Sequence, residues 1–392
     1  PSSEPRSFAD AAGAGRYYRP ELDVLRLMAF LLVFFTHRMD LAPIDRAVHP
    51  WLYALSLIGV FGVPVFFLLS AFLITELLTR EQQQTGTIQL RAFYLRRILR
   101  IWPLYFVAFF GLAVLGQFIP RVGAPTVGSW IAFSLFSGNW YICKFGWLRA
   151  YPVNPFWSIS VEEQFYILIP IVVFYGRRSL GWVCVGLLVI AYAAIALYAA
   201  FPHRGFSSQW TNSLVQFQFF AAGTLLSLGL RGRLPTWPLL VRLVGLLAAV
   251  VCWLVAFLVF GVEADHPHSA NVLGSLAGWA LVLAGTVLLF LSLLGISERY
   301  LPRIAIYLGR ISYGLYIFHA FFLFLVFRLA KDLTADLSNA LHLGDWRNAV
   351  GTVIAFGVTV SVATVSYQVF EKPFLRLKKR FTIVPSRPVG GA

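Results

Sequence analysis

Apolar residues in this chain come in long uninterrupted stretches rather than in alternating or one-faced patterns, with short basic segments between them. A helix needs about 20 apolar residues to cross the hydrocarbon core of a bilayer, so runs of that length predict membrane spans. The runs lie at 24–40, 52–79, 101–119, 157–176, 181–201, 213–230, 238–261, 270–294, 305–329 and 349–371. An eleventh stretch, 128–142, is shorter and carries Ser134, Ser137, Gly138 and Asn139. The expected fold is therefore an all-α polytopic membrane bundle of about ten transmembrane helices, with 128–142 as a re-entrant or interfacial element that does not span. Residues 1–22 read as an N-terminal segment without a cleavable signal. Residues 23–374 read as the transmembrane domain and 375–392 as a basic, disordered tail.

Composition supports this pattern: 59% of residues are hydrophobic and 12% charged, about half the charge of a soluble domain. An intrinsically disordered chain, a disulfide scaffold and a cytosolic enzyme are excluded. A net charge of +15 invites a nucleic-acid partner, but in a membrane protein the first question is which side holds the charge. If 128–142 does not span, 23 of the 32 basic residues and eight of the 17 acids fall on the side of both termini. That side carries +15 and the other is neutral, so the positive-inside rule places both termini in the cytoplasm. The expected location is a plasma (bacterial inner) membrane, with no nucleic-acid partner. Cys143, Cys184 and Cys252 are far apart and show no metal-ligand spacing, so they read as apolar fillers and no metal site is expected. No internal repeat is visible, which weakens a transporter built from duplicated halves.

Ionisable residues inside spans are costly and need a partner or a task. Arg26 and His37 are eleven residues apart, about 20° past three full helical turns, so they share a stripe with a rise of roughly 16 Å between them. Asp23 lies at i,i+3 from Arg26 and can pair with it. Arg26 therefore reads as an anchor or a ligand cation, and His37 as an interfacial or a functional imidazole. Ahead of the third span, Arg96, Arg97 and Arg100 form a patch that suits either membrane anchoring or a phosphate cradle. In the long second span, Gly59, Gly62 and Pro64 predict a break and Ser70 follows it, as a hydrogen-bonding residue or a nucleophile. The fourth span opens with Trp157, Ser158, Ser160, Glu162 and Glu163. Ser160 and Glu163 have capping-box spacing, whereas Glu162 has no such structural role. In the ninth span, Ser312, Tyr316 and His319 share one face. Together these residues suggest an outward-opening polar cavity lined by His37, Glu162 and His319.

The same segments resemble the acyltransferase-3 family of integral membrane acyltransferases. The similarity runs through YRPELDVLR (18–26), R-x10-H to His37, VFFLLSAFLIT (65–75), FYLRRILRIWPLY (93–105), WSISVEEQFYILIP (157–170), ISYGLYIFH (311–319) and FEKPF (370–374). These motifs follow the family's order across almost the whole chain. Val24 and Ala71 stand where such proteins commonly carry Gly, and the expectation is of a membrane domain acting without the hydrolase-like domain that some relatives append.

The resemblance implies transfer of an acyl group, commonly acetyl, from cytoplasmic acetyl-coenzyme A or another acyl-coenzyme A. The implied acceptor is a hydroxyl of a surface glycan, a lipid-linked sugar or a secreted small molecule, and no cofactor is held permanently. It assigns His37 as general base, or alternatively as an acylated nucleophile, with Glu162 orienting it or binding acceptor hydroxyls. Arg26, Arg97 and Arg100 would bind donor phosphates, and Ser70, Trp157, Ser158, Tyr316 and His319 would line the acceptor cavity. Acceptor choice would lie in outer-loop residues such as Trp140, Trp147, Arg149, Arg204, Trp210, His266, His268 and Trp346. The competing reading is a transporter or flippase for a lipid-linked or acylated sugar.

Overall fold

The structure is a computed structural model that describes residues 17–41, 50–176, 179–202, 209–264, 271–343 and 346–384. Helix α1 spans Pro20–Leu41. Proline at its first position needs no intrahelical N–H partner, and Glu21 and Asp23 in its first turn complement the helix dipole. The second long apolar run divides into α2 (Pro50–Leu57), a single 3-10 turn (Ile58–Phe61) and α3 (Gly62–Thr85). Then follow α4 (Leu90–Leu115), α5 (Val127–Ser134), α6 (Gly138–Phe145), α7 (Phe156–Gly176), α8 (Leu180–Ala200) and α9 (Ser213–Leu230). The remaining helices are α10 (Leu239–Leu258), α11 (Val272–Leu293), α12 (Arg303–Arg310), α13 (Ser312–Phe324), α14 (Lys331–Ala340), α15 (Arg347–Ser366) and α16 (Lys372–Lys378). All regular structure among the described residues is helical.

Nine helical stretches among the described residues are long and apolar enough to cross a membrane. Helix α1 has the length, about 33 Å, but carries Glu21, Asp23, Arg26, Arg38 and Asp40 and so stands outside that set. The element at 128–142 is two helices of eight residues each, about 12 Å apiece, too short to span. They meet at a corner where Phe136 has φ 52°.

Burial sorts the helices into layers. In the most apolar 18-residue window of Ile58–Thr85 78% of residues are buried, against 22% in that of α10, which leaves side chains such as Leu240 and Leu247 facing outward. Helix α3 is thus the centre, packed by α1 on one side and α9 on another. Without a hydrophobic drive between helices in lipid, close approach depends on small residues. A Cβ on Gly223 of α9 would lie 2.2 Å from the Leu68 carbonyl of α3, and 3.0 Å from the Ala71 methyl. The break before α3 has the same cause. A Cβ on Gly59 would meet the Leu32 carbonyl at 2.5 Å, and one on Gly62 the Ala29 carbonyl at 2.4 Å, so this turn sits directly on the α1 backbone.

The chain after the last span differs from the expected tail. Residues 375–384 are ordered: α16 continues to Lys378, a 3-10 turn follows over Lys379–Phe381, and Leu375 is buried. Arg96 explains why, since one of its guanidinium nitrogens donates to Phe381 O at 2.7 Å while another holds buried Glu81 at 2.7 Å. Residues 1–16 and 385–392 lie outside the described residues.

Gly309 of α12 sets the tightest contact on α1, because a Cβ there would lie 1.8 Å from the Asp23 carbonyl. Gly309→Ala should lower unfolding stability in detergent by about 1–3 kcal/mol through overpacking. Gly111→Ala, with nothing within 4 Å of the added carbon, is the control and should leave the melting temperature unchanged or slightly raised.

Candidate active site

The α1 stripe has polar groups at both ends and buried Phe30 and Val33 between them. At the first end, Arg26 Nη1 donates to Asp23 Oδ1 at 2.6 Å and the Tyr18 hydroxyl donates to Asp23 Oδ2 at 3.1 Å. At the other, His37 Nδ1 lies 3.1 Å from the Val33 carbonyl and 3.1 Å from His319 Nε2. His319 is fully buried, with its Nδ1 2.5 Å from the Tyr316 carbonyl. Carbonyl oxygens only accept, so this chain of contacts assigns the neutral tautomers. His319 Nδ1–H donates to Tyr316 O, which leaves His319 Nε2 as an acceptor. His37 Nδ1–H then serves Val33 O and His319 Nε2, so the lone pair of His37 resides on Nε2.

A cavity of about 440 Å³ occupies the bundle on the Arg26 side of this pair. Helix α7 supplies Ser158, Glu162 and Tyr166, at i, i+4 and i+8 on one face. Glu162 accepts hydrogen bonds from the Ser70 and Tyr166 hydroxyls. The Arg97 guanidinium lies over the Tyr166 ring at 5.6 Å, a cation–π contact. Arg26, Arg100, Arg310, Lys378 and Lys379 also line the space, with Glu371. Glu371 comes from a π-helical turn, Tyr367–Glu371, that turns both end residues toward the cavity. Tyr316 belongs to both features: its side chain walls the cavity and its carbonyl holds His319.

A family profile described as an acyltransferase domain matches residues 19–368. The chain belongs to the acyltransferase-3 family. A Staphylococcus aureus (strain MSSA476) protein provisionally named an O-acetyltransferase is 23% identical to this acyltransferase-3 chain over 386 residues, 91% of the chain and 57% of the relative. The chain thus spans little more than half the length of that relative. Nodulation protein 10 of Rhizobium leguminosarum bv. viciae is 24% identical over 385 residues, covering 92% of the chain and 94% of the relative. The peptidoglycan O-acetyltransferase OatA of Listeria monocytogenes is 29% identical over 164 residues, 40% of the chain and 24% of the relative. No solved structure matches.

The geometry regroups the residues singled out in this acyltransferase-3 sequence. The expected cavity lined jointly by His37, Glu162 and His319 is corrected: Glu162 lines the cavity, whereas His37 and His319 do not and contact each other instead. Glu162 faces the cations because it shares a helix face with Ser158 and Tyr166, and the histidines pair with each other behind Tyr316. Arg26, Arg97, Arg100, Ser70, Ser158 and Tyr316 all line the cavity. Trp157 does not: it is buried against Phe67, with ring centroids 6.2 Å apart. Trp210 is likewise a core residue, packed between Phe61 and Trp279. Ser160 lies one turn inside α7 rather than capping it, and Glu163 accepts from Trp102 Nε1 at 2.8 Å. Arg204, His266 and His268 lie outside the described residues. Sequence reasoning missed Tyr166, Arg310, Glu371 and Lys378. The 158/162/166 spacing and the charged FEKPF-to-tail segment were the signals that could have found them.

The arginine patch divides in function. Arg96 forms a buried pair with Glu81, whereas Arg97 has no carboxylate within ion-pair distance among the described residues. Arg96→Ala should therefore destabilise the protein by about 3–5 kcal/mol, the cost of stranding a buried charge, and thermal denaturation in detergent would show it. Arg97→Ala should leave the melting temperature near that of the wild type.

Proposed function

We propose that this protein transfers an acyl group, acetyl first among candidates, from an acyl-coenzyme A in the cation-lined cavity to a carbohydrate hydroxyl, with His37 as general base. The observation that carries the reading is the shared wall. Tyr316 both lines a cavity suited to a polyanionic thioester and holds, through His319, an imidazole whose free lone pair is assigned by hydrogen bonding, so the thioester end of the donor meets His37 at Tyr316. Guanidinium groups suit polyphosphate oxygens, and Arg26, Arg97 and Arg100 supply three of them. The charge asymmetry of the loops supports a cytoplasmic position for that end of the bundle, where coenzyme A thioesters are made.

In the reaction, His37 Nε2 takes the proton of the acceptor hydroxyl as its oxygen attacks the thioester carbonyl. The carbon–sulfur bond breaks, and the coenzyme A thiolate recovers a proton from the His37 imidazolium. His319 does not meet substrate in this scheme. It is a positioning residue, holding His37 in the tautomer that leaves Nε2 free. Glu162 acts on the donor side by fixing the Ser70 and Tyr166 hydroxyls, the latter beneath Arg97. An acetyl donor is supported by the O-acetyltransferase names among the relatives. A glycan acceptor is supported by the peptidoglycan substrate named for the Listeria relative.

Reconstituted protein given labelled acetyl-coenzyme A and a cell-wall glycan fraction tests the assignment. His37→Ala should lower turnover by about 10²–10⁴-fold, the usual share of a general base, with donor affinity retained in calorimetry. Full turnover in folded His37→Ala would overturn it. His319→Ala should lower kcat and change its pH profile while leaving KM for the donor near the wild-type value. The Arg97→Ala/Arg100→Ala pair should show the reverse, with weakened donor binding. Absence of acetyl-coenzyme A binding by folded wild type would remove the donor reading altogether.

A further inference from the structure

The cavity holds seven basic side chains, Arg19, Arg26, Arg97, Arg100, Arg310, Lys378 and Lys379, against two carboxylates, Glu162 and Glu371. The deep cations are accounted for within the protein. Arg26 pairs with Asp23, Arg97 stacks on Tyr166, and Arg100 lies within electrostatic reach of Glu371. Arg310, Lys378 and Lys379 have no carboxylate within ion-pair distance among the described residues, and Arg310 Nε is buried without a hydrogen-bond partner. Lys378 also stands within electrostatic range of Arg96, Arg97 and Arg100. Like charges so placed repel unless an anion joins them.

The segment that brings the two lysines here is a built element. Arg96 ties Phe381 O to the bundle, Leu375 is buried, and the Thr382 hydroxyl donates to Lys378 O at 3.0 Å. Thr382 itself lines the cavity, adding a hydroxyl to the three cations. Lys379 is exposed and Lys378 half-buried, so the two lysines lie toward the solvent end of the cavity, with the buried Nε of Arg310 in its lining. Two ammonium groups, a guanidinium fork and a hydroxyl match a terminal phosphate monoester, which carries up to two negative charges and three acceptor oxygens.

We propose that Arg310, Lys378 and Lys379 form a subsite for the 3′-phosphate of coenzyme A. This rests on the acyl-coenzyme A reading above. That phosphate is the monoester at the nucleotide end of the donor, the end farthest from the thioester, and it occupies the mouth while the acyl end lies toward Tyr316. The segment after the last span thereby selects complete coenzyme A over donors that lack this phosphate.

The test compares acetyl-coenzyme A with acetyl-3′-dephospho-coenzyme A by calorimetry on the full chain in detergent. Wild type should prefer the complete donor by about tenfold or more. In Lys378→Ala/Lys379→Ala that ratio should fall toward one, and Lys378→Arg/Lys379→Arg should keep it. A measurement on wild type alone covers loss of folding in the variants: adenosine 3′,5′-bisphosphate should compete with the donor at least tenfold better than adenosine 5′-monophosphate. Equal affinity of wild type for the two donors would overturn the subsite while leaving the acyl-coenzyme A reading intact. An undiminished preference in the folded alanine variant would also overturn it. Binding of neither donor by folded wild type would overturn both.

Discussion

A guanidinium drawn into a bilayer must find compensation, and the Asp23–Arg26 pair on α1 is where this bundle meets that demand first. The pair lies within the helix that packs on the central α3 turn, on α12 and on α13. Gly309 lets α12 rest on the Asp23 carbonyl, and the buried Asp23 carboxylate accepts from both Arg26 and Tyr18. Arg26 is thereby held at the cavity edge instead of reaching for water or lipid headgroups. The paired first turn fixes the phase of α1, and that phase carries His37 to His319 about three turns later. Cation, helix register and imidazole are one mechanical unit.

The polar groups of the bundle fall into two sets: the cations and Glu162 line the cavity, and His37 and His319 contact each other outside it. A charged donor needs cations and water access at one end, and a base that works on a hydroxyl needs a lone pair kept from competing donors. Cations beside an imidazole disfavour its protonated form, and none of the cavity's basic side chains is hydrogen-bonded to either histidine. Tyr316 borders both groups, since it lines the cavity and its ring lies 5.3 Å from that of the buried His319.

Much of this arrangement was legible in the sequence, and what escaped it has physical causes. Span lengths, the break at Gly59–Gly62, the non-spanning element and the Asp23–Arg26 and Arg26–His37 relations all follow from helix geometry and chain-local spacing. Contacts between distant segments do not. Nothing local distinguishes Arg96, a strut for the returning chain, from Arg97, a cavity residue one position on. Glu163 was assigned to a capping box with Ser160, but it accepts from Trp102 instead, and the placing of Glu162 beside the histidines took the start of α7 as its guide rather than the face it shares with Ser158 and Tyr166. The ordered stretch after Leu375 was read as disordered because its composition is basic, while its restraint comes from a guanidinium nearly 300 residues earlier in the chain.

The histidine tautomers depend on two main-chain oxygens, those of Val33 and Tyr316. A main-chain acceptor survives every side-chain replacement, so a mutational scan would register positions 33 and 316 for their packing and remain blind to this role. The property is stored in helix pitch: only an inserted or deleted residue, or a proline that shifts the carbonyl, would erase it. Indels in α1 and α13 should thus be more informative than substitutions about what keeps Nε2 of His37 open.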